Sequence, residues 1–296
     1  MTPAATTATS AASQWGSGMP MFDALIQMFT YTFLLRAVVV GLLVSLCASL
    51  LGVSLVLKRY AMIGDGLSHV GFGSLAIATA LNAAPLAVAI PVTVAAAFLL
   101  LRLSESSRIK GDAAIALVSA SSVALGVFVI SVTTGMNTDV DNYLFGSILA
   151  LNQGDVALSV ALSLAVLALF LIFYNRIFAI TFDETFAQAT GTNTKAYNTL
   201  LAVLTALTIV LGMRMMGALL ISSLVIFPAL TSMWLCRRFK AVTICAAGIS
   251  VACFLVGITV SYLYATPTGA SVVLINLVLF LIFYTISRIK QRRSTN

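Results

Sequence analysis

Charged residues are scarce in this chain. Asp, Glu, Lys and Arg together make up only 8% of its 296 residues, whereas hydrophobic residues make up 60%. A soluble domain carries about a quarter charged residues, so this composition excludes a soluble protein and leaves no room for a separate soluble domain. The chain is predicted to be all-α, a polytopic transmembrane helical bundle.

The signatures of several enzyme and cofactor classes are also missing. There is a single histidine, hence no H-E-x-x-H, and no G-x-x-x-x-G-K-[ST] loop that would bind ATP. The cysteines form no C-x-x-C and lie in or at the edges of apolar runs, which predicts buried, reduced thiols. They are Cys47, Cys236, Cys245 and Cys253. The chain is therefore predicted to catalyse no reaction itself and to hold no tightly bound cofactor.

Long apolar runs are what the sequence has in abundance. Because about 20 apolar residues cross a bilayer as a helix, nine spans are predicted. Glycines interrupt the second, so a partly unwound or re-entrant segment is its alternative, and only 214–218 separate the sixth from the seventh, which makes eight the alternative count. The runs are 34–57, 63–81, 86–103, 113–133, 156–174, 197–213, 219–236, 241–264 and 270–286.

Basic residues predict how these spans are oriented. The net charge is +7, but the basic residues occur in short clusters after alternate spans, an arrangement that needs no nucleic acid to explain it. With nine spans all clusters fall on one side, which the positive-inside rule makes cytoplasmic, and only Arg36 and Arg214 lie on the other. The C-terminus is then inside and the N-terminus outside. Residues 1–20, rich in Ala, Thr and Ser, are predicted to be a disordered polar tail ahead of the transmembrane domain, 21–296.

Two ionisable residues lie between the apolar stretches 34–57 and 70–81. Asp65 and the only histidine, His69, are four residues apart, a spacing that places both side chains on one face of a helix. A carboxylate and an imidazole on one face suit a divalent transition metal, and ionisable groups inside a membrane usually have a function. The alternative is that Asp65 caps a helix and His69 is a hydrogen-bonded residue between packed helices.

Acidic residues gather in two connecting segments. On the predicted outer side, Asp139 and Asp141 form a possible rim that attracts cations or a docking partner, with an ordinary solvated loop as the alternative. On the predicted cytoplasmic side, the segment 182–191 carries acids beside an apolar stripe. Its short helix, capped by Thr181 or Asp183, is a natural dock for a soluble subunit.

Four stretches follow one another in a specific order within residues 58–236. They are Gly64-Asp-Gly-Leu-Ser-His69, Tyr143-Leu-Phe-Gly-Ser-Ile-Leu-Ala150, Phe182-Asp-Glu-Thr-Phe-Ala-Gln-Ala-Thr-Gly191 and Gly217-Ala-Leu-Leu-Ile-Ser-Ser-Leu-Val-Ile-Phe-Pro-Ala229. This ordered set resembles the permease subunits of metal-ion ABC importers, the zinc/manganese/iron class. The chain departs from that pattern after His69, where Val70-Gly-Phe-Gly73 replaces a proline-glycine stretch.

The resemblance implies a permease of the bacterial cytoplasmic (inner) membrane that pairs as a homodimer. It implies a cytoplasmic ATP-binding subunit and an extracytoplasmic metal-binding protein as partners. Carried over by residue, Asp65 and His69 correspond to the intramembrane metal pair. The residues Phe182, Asp183, Glu184, Phe186 and Gly191 correspond to the segment that couples to the ATPase.

Two transport mechanisms remain open at this point. The first is a permease driven by a separate ATPase, which carries Zn, Mn or Fe. The second is a proton-coupled secondary transporter, in which Asp65 and His69 exchange protons with the substrate. The acidic segment 182–191 favours the first, because a self-sufficient carrier needs no docking helix. One carboxylate and one imidazole do not select among the three metals.

Overall fold

The computed structural model describes residues 32–104, 111–133 and 153–295, and over these ranges the chain is helical without a strand. This confirms the all-α fold class. The tail 1–20 and the acidic pair Asp139 and Asp141 lie outside the described residues, so the predictions made for them stay predictions. The helices of the described ranges are α1 (Thr32–Leu57), α2 (Ala61–Ala80), α3 (Pro85–Ser104), α4 (Gly111–Thr133), α5 (Gln153–Ile172), α6 (Tyr174–Phe182), α7 (Glu184–Ala189), α8 (Thr194–Met216), α9 (Ala218–Leu235), α10 (Phe239–Tyr264) and α11 (Thr268–Thr295).

Eight helices of the described ranges are long and apolar enough to cross a membrane, which confirms the prediction of a multi-pass bundle. They are α1, α3, α4, α5, α8, α9, α10 and α11. Helix α2 is not among them, although its 20 residues give a length of about 30 Å, the thickness of the hydrocarbon core. It runs without a break from Ala61 to Ala80, so the partly unwound alternative is wrong.

Helix α1 and helix α2 organise the packing. Helix α1 contacts α5, α8, α9 and α10, whereas α2 packs mainly against α3 and α4. Helices α8 and α9 touch both α1 and α2 and so join the two groups. As a result α2, the one long helix of the described ranges that is not a candidate span, lies among four others.

Glycines let the helices of both groups approach closely. A Cβ added at Gly52 of α1 would overlap the backbone carbonyl oxygen of Val225 in α9. A Cβ at Gly73 of α2 would lie 2.7 Å from the carbonyl oxygen of Ser122 in α4. Small residues at such crossings allow the backbones of two helices to touch directly. Membrane helices gain dispersion energy from this close contact, because no hydrophobic driving force acts between helices in lipid.

A single glycine separates α8 from α9. The backbone at Gly217 has φ +82°, a left-handed conformation that costs glycine little and other residues more. The chain therefore reverses in one residue, and the two helices extend closer to each other than the predicted gap of 214–218.

A buried ion pair joins α8 to α5. Arg214 Nη2 lies 2.6 Å from Asp155 Oδ2, and both side chains are only 14% exposed. The sequence placed both residues on the outer side but gave no reason to pair them, since they are 59 positions apart. Burying either charge alone is expensive, so the pair ties the start of α5 to the end of α8.

The cysteines are only partly as predicted. Cys47 and Cys253 are buried, as expected of thiols in apolar runs, whereas Cys236 and Cys245 are half-buried. The difference arises because the last two lie at the end of α9 and near the start of α10, where fewer helices surround the chain.

Candidate functional site

Helix α2 carries the predicted metal pair within its first three turns. Its N-cap position is Tyr60, with no side-chain cap, and Asp65 is the fifth residue of the helix. Asp65 is therefore not a helix cap, and that alternative is wrong. The Asp65 carboxylate and the His69 imidazole share one face, with Oδ2 and Nε2 3.6 Å apart, as the i, i+4 spacing predicts.

The pair faces outward from a helix that is otherwise enclosed. From Ile63 to Ala78 every residue of α2 is buried except Asp65, His69 and Ile77. The Asp65 and His69 side chains are 39% and 28% exposed. Contact of these groups with lipid would be costly, so this face of α2 must border water, an ion or another protein chain.

The imidazole of His69 is poorly satisfied by the chain itself. Its Nδ1 atom is buried and has no hydrogen-bond partner among the described residues. Buried polar atoms are almost always paired, and the hydrogen-bonded role that formed the alternative for His69 is not seen at this nitrogen.

Hydroxyl groups from two helices form a short chain that ends on the backbone carbonyl of Asp65. Ser68 Oγ donates to the backbone carbonyl of Asp65 at 2.7 Å. Ser222 Oγ, from α9, donates to Ser68 Oγ at 3.4 Å. Within 32–104, 111–133 and 153–295, no third His, Cys, Asp or Glu joins the pair in a group that could hold a metal. The donors that the described chain supplies are thus one carboxylate, one imidazole and neutral oxygens nearby.

The predicted coupling segment folds as a short capped helix. Asp183 Oδ1 accepts a hydrogen bond of 2.8 Å from the backbone N–H of Phe186, so Asp183 rather than Thr181 is the cap. The Thr181 hydroxyl instead donates to the carbonyl of Ile177 within α6. Helix α7 ends at Ala189, and Gly191 follows with φ +83°.

The large apolar side chains that this segment exposes are aromatic. Phe182 and Phe186 are 59% and 66% exposed. The Phe182 ring also packs against Phe178 and against Phe239 of α10, with ring centroids 5.0 and 5.7 Å away. The segment therefore exposes two phenylalanines, and one of them is anchored to α10.

The second acid of the segment points inward. Glu184 Oε2 lies 3.0 Å from Lys58 Nζ, and Glu184 Oε1 accepts a 2.7 Å hydrogen bond from Asn198 Nδ2. Both partners are buried or nearly so: the Lys58 side chain is 6% exposed and Asn198 is 5% exposed. Glu184 thus connects α7 to the end of α1 and the start of α8.

A protein-family model for the ABC 3 transport family matches residues 30–287. The chain belongs to this family. This ABC 3 chain is 30% identical over 88% of its length to the manganese transport system membrane protein MntC of Halalkalibacterium halodurans, of which it covers 89%. It is 31% identical over 85% of its length to the high-affinity zinc uptake system membrane protein ZnuB of Haemophilus influenzae, covering 97% of that protein.

Its fold is also similar to a solved structure. PsaBC from Streptococcus pneumoniae in complex with Fab aligns with a TM-score of 0.80 and 28% identity, over 90% of this chain and 95% of the other. The resemblance drawn from four sequence blocks is thereby confirmed at the level of the family. These relatives give no support to the proton-coupled alternative.

Sequence reasoning missed three residues of this ABC 3 chain. Lys58 and Asn198, which hold Glu184, come from helices that are far apart in sequence. Lys58 stood out only as half of a basic pair after the first span, and Asn198 carried no signal. Ser222 lies in the fourth of the four ordered stretches, and its place beside Ser68 depends on how α9 crosses α2.

Proposed function

We propose that this chain is the membrane-spanning permease of an ABC importer for a divalent transition metal, Mn, Zn or Fe, in a bacterial cytoplasmic membrane. Asp65 and His69 contact the passing ion. One observation carries the proposal: between Ile63 and Ala78, Asp65 and His69 are the only polar residues of α2 that are not buried.

The chemistry of the pair fits transport. The Asp65 carboxylate offsets the cost of bringing a dication into a region of low dielectric. The His69 nitrogen favours transition metals over Mg and Ca, which prefer oxygen ligands alone. Two side-chain ligands leave the shell to be completed by water, backbone carbonyls or a second chain. An incomplete shell allows the ion to leave again, as a transport path requires.

The partners follow from the exposed surfaces. A second copy of this chain would cover the face of α2 that carries Asp65 and His69, so that each ion path lies inside a dimer. An ATP-binding subunit docks on Phe182 and Phe186. ATP hydrolysis takes place in that subunit, because this chain carries no phosphate-binding loop. On the outer side an extracytoplasmic metal-binding protein delivers the ion, with Asp139 and Asp141 as its proposed rim.

The metal is to be identified by rescue of starved cells. Cells that lack their own transporters are depleted of Mn, Zn and Fe in turn and supplied with this chain and its ATP-binding subunit. We expect growth to recover under depletion of at least one of the three, and intracellular content of that metal to rise. Equal growth with and without the chain under all three depletions would contradict the proposed substrate class.

Docking of the ATPase is tested at Phe186. Replacing this exposed ring by serine removes an aromatic anchor and is expected to weaken association with the ATP-binding subunit by roughly tenfold. The measurement is co-purification of the subunit over a range of concentrations. Phe128→Ser is the matched control, because Phe128 is 67% exposed in α4. Equal association of both variants would remove Phe186 from the interface.

Reversing the charges of Asp183 and Glu184 is a less specific test of docking than Phe186→Ser. Asp183 caps α7 and Glu184 binds Lys58 and Asn198. Lysine at either position therefore disturbs the fold of the segment as well as any contact with the ATPase. Loss of association in such variants does not separate the two effects. The bond of Phe186 to Asp183 is made by its backbone N–H, which Phe186→Ser keeps.

A further inference from the structure

We infer that Lys58, Glu184 and Asn198 form a clamp that transmits movement of the ATPase-facing helix α7 to the turn that begins α2. This inference rests on the proposed function, since it concerns how the same metal pair is driven. The three residues are positioning residues, because none of them touches the ion path.

The clamp is fully bonded at its centre. Lys58 Nζ donates to Glu184 Oε2 at 3.0 Å, to Asn198 Oδ1 at 2.6 Å and to the backbone carbonyl of Ile180 at 3.2 Å. An ammonium group has three N–H donors, so all three are used. Asn198 Nδ2 closes the ring by donating to Glu184 Oε1 at 2.7 Å. Four elements, α1, α6, α7 and α8, therefore meet at one lysine.

Burial makes the clamp sensitive to the loss of any member. The Lys58 side chain is only 6% exposed, whereas Glu184 is 44% exposed. A nearly buried ammonium group cannot replace a lost acceptor readily by water, and Glu184 is the only carboxylate paired with it among the described residues. The positive charge is thus held by α7, and a shift of α7 must carry Lys58 with it.

Lys58 lies in the turn that connects α1 to the metal-pair helix. The turn is tight: Lys58 N–H donates to the carbonyl of Ser54 at 3.0 Å, and Tyr60 N–H donates to that of Leu55 at 2.8 Å. Arg59 between them has φ +63°, a left-handed conformation uncommon for a residue with a side chain. Helix α2 begins at Ala61, and Asp65 is seven residues after Lys58. Displacement of the lysine therefore reaches the first turns of α2 through very few rotatable bonds.

The other attachment of the coupling segment leads elsewhere. Phe182 packs against Phe239, at the start of α10. Helix α10 contacts α1, α9 and α11 rather than α2 in the described packing. The charged clamp thus connects the coupling segment to the turn before the helix that carries Asp65 and His69, whereas the aromatic contact anchors the segment to α10.

The test uses the assembled transporter in lipid vesicles, with Mn²⁺ and Zn²⁺ as probes and both uptake and ATP hydrolysis measured. For Lys58→Met and Glu184→Gln we expect the ATPase to stay bound and active, while metal moved per ATP falls by about tenfold, within the range of typical coupling between sites. In the double variant K58M/E184Q neither charge is left without its partner, so it is expected to lose no more of that ratio than either single variant loses. Lys195→Met, at an exposed lysine of α8, is the control and should resemble the unaltered protein.

Several results would overturn the clamp. They are an unchanged ratio of metal to ATP in both single variants, or a double variant K58M/E184Q whose loss is the product of the two single losses. If Lys58→Met fails to assemble, Asn198→Ala, which removes only a neutral partner, carries the same test. A second readout does not depend on transport: ATP-induced changes in hydrogen exchange at residues 61–66 should be present in the unaltered complex and lost in Lys58→Met.

These outcomes are separable from failure of the proposed function. If the unaltered complex moves neither Mn²⁺ nor Zn²⁺ and rescues no cells depleted of Fe, but shows an exchange change at 61–66 that Lys58→Met loses, the substrate class is wrong and the clamp stands. If it moves metal with an unaltered ratio in the Lys58 and Glu184 variants, the clamp is wrong and the permease function stands.

Discussion

Metal uptake is expected to be nearly abolished when either Asp65 or His69 is replaced. Asp65→Asn keeps the size and one oxygen but loses the charge that stabilises a dication at low dielectric. His69→Gln keeps a polar side chain but loses the imidazole nitrogen. Since even a residue behind a metal ligand is typically worth 10- to 100-fold in affinity, uptake at limiting metal should fall by about a hundredfold. The measurement is initial uptake rate in cells at limiting Mn and Zn.

The control for this pair is an isosteric change at another carboxylate. Asp112 is exposed in the first turn of α4, and Asp112→Asn is expected to leave uptake close to that of the unaltered protein. The amount of each variant in the membrane is measured alongside. Full uptake by both Asp65→Asn and His69→Gln at limiting metal would remove the pair from the ion path, whatever the transported metal.

Adding one methyl group at Gly52 is expected to destabilise the bundle strongly. The new Cβ would overlap the carbonyl oxygen of Val225 and lie 2.9 Å from its carbonyl carbon. Backbone cannot rotate away as a flexible side chain does, so α1 and α9 must separate. Overpacking of this kind costs about 1–3 kcal/mol, more than the gain of up to about 1 kcal/mol from replacing glycine by alanine in a helix. The measurement is the unfolding temperature of the purified protein in detergent.

Gly248 provides the matched control for that change. It lies in α10, is exposed, and a Cβ there would meet nothing within 4 Å. Gly248→Ala should therefore keep or slightly raise the unfolding temperature, while Gly52→Ala lowers it. Because the two substitutions are chemically identical, the difference between them isolates the contact with α9. Equal unfolding temperatures would show that α1 and α9 do not approach so closely in the folded protein.

The spans and their order were predictable because bilayer thickness acts on each segment separately. Residues such as Leu35 and Leu171 stay exposed on the surface of the folded chain. They are apolar because the membrane requires it, and not because they belong to a core. A run of 20 such residues indicates a helix wherever it packs. The same reasoning did not decide whether α2 is a continuous helix, since its glycines and two ionisable residues make it less apolar. Its continuity comes from enclosure by α3, α4, α8 and α9.

The site was predictable only in part, namely in those features that depend on residues close together in the sequence. The shared face of Asp65 and His69, and the cap that Asp183 forms for α7, depend on spacings of three or four residues, which helix geometry fixes. No comparable rule predicts contacts between residues that are far apart in the sequence. Glu184 was read as an acid facing a docking partner, yet it binds Lys58, 126 positions away.

The sequence by itself determined the class of protein and the helical fold, and it predicted the metal pair and the coupling segment. The first two follow from composition, whereas the last two rest on local spacing together with the resemblance of four ordered stretches to a known family. Tertiary structure alone decided that Asp65 and His69 face outward from a buried helix, that Arg214 pairs with Asp155, and that Lys58 and Asn198 hold Glu184. The physical reason is that these depend on how helices cross, and crossings are set by many weak contacts, such as Gly52 against Val225, which leave no periodic pattern along the chain.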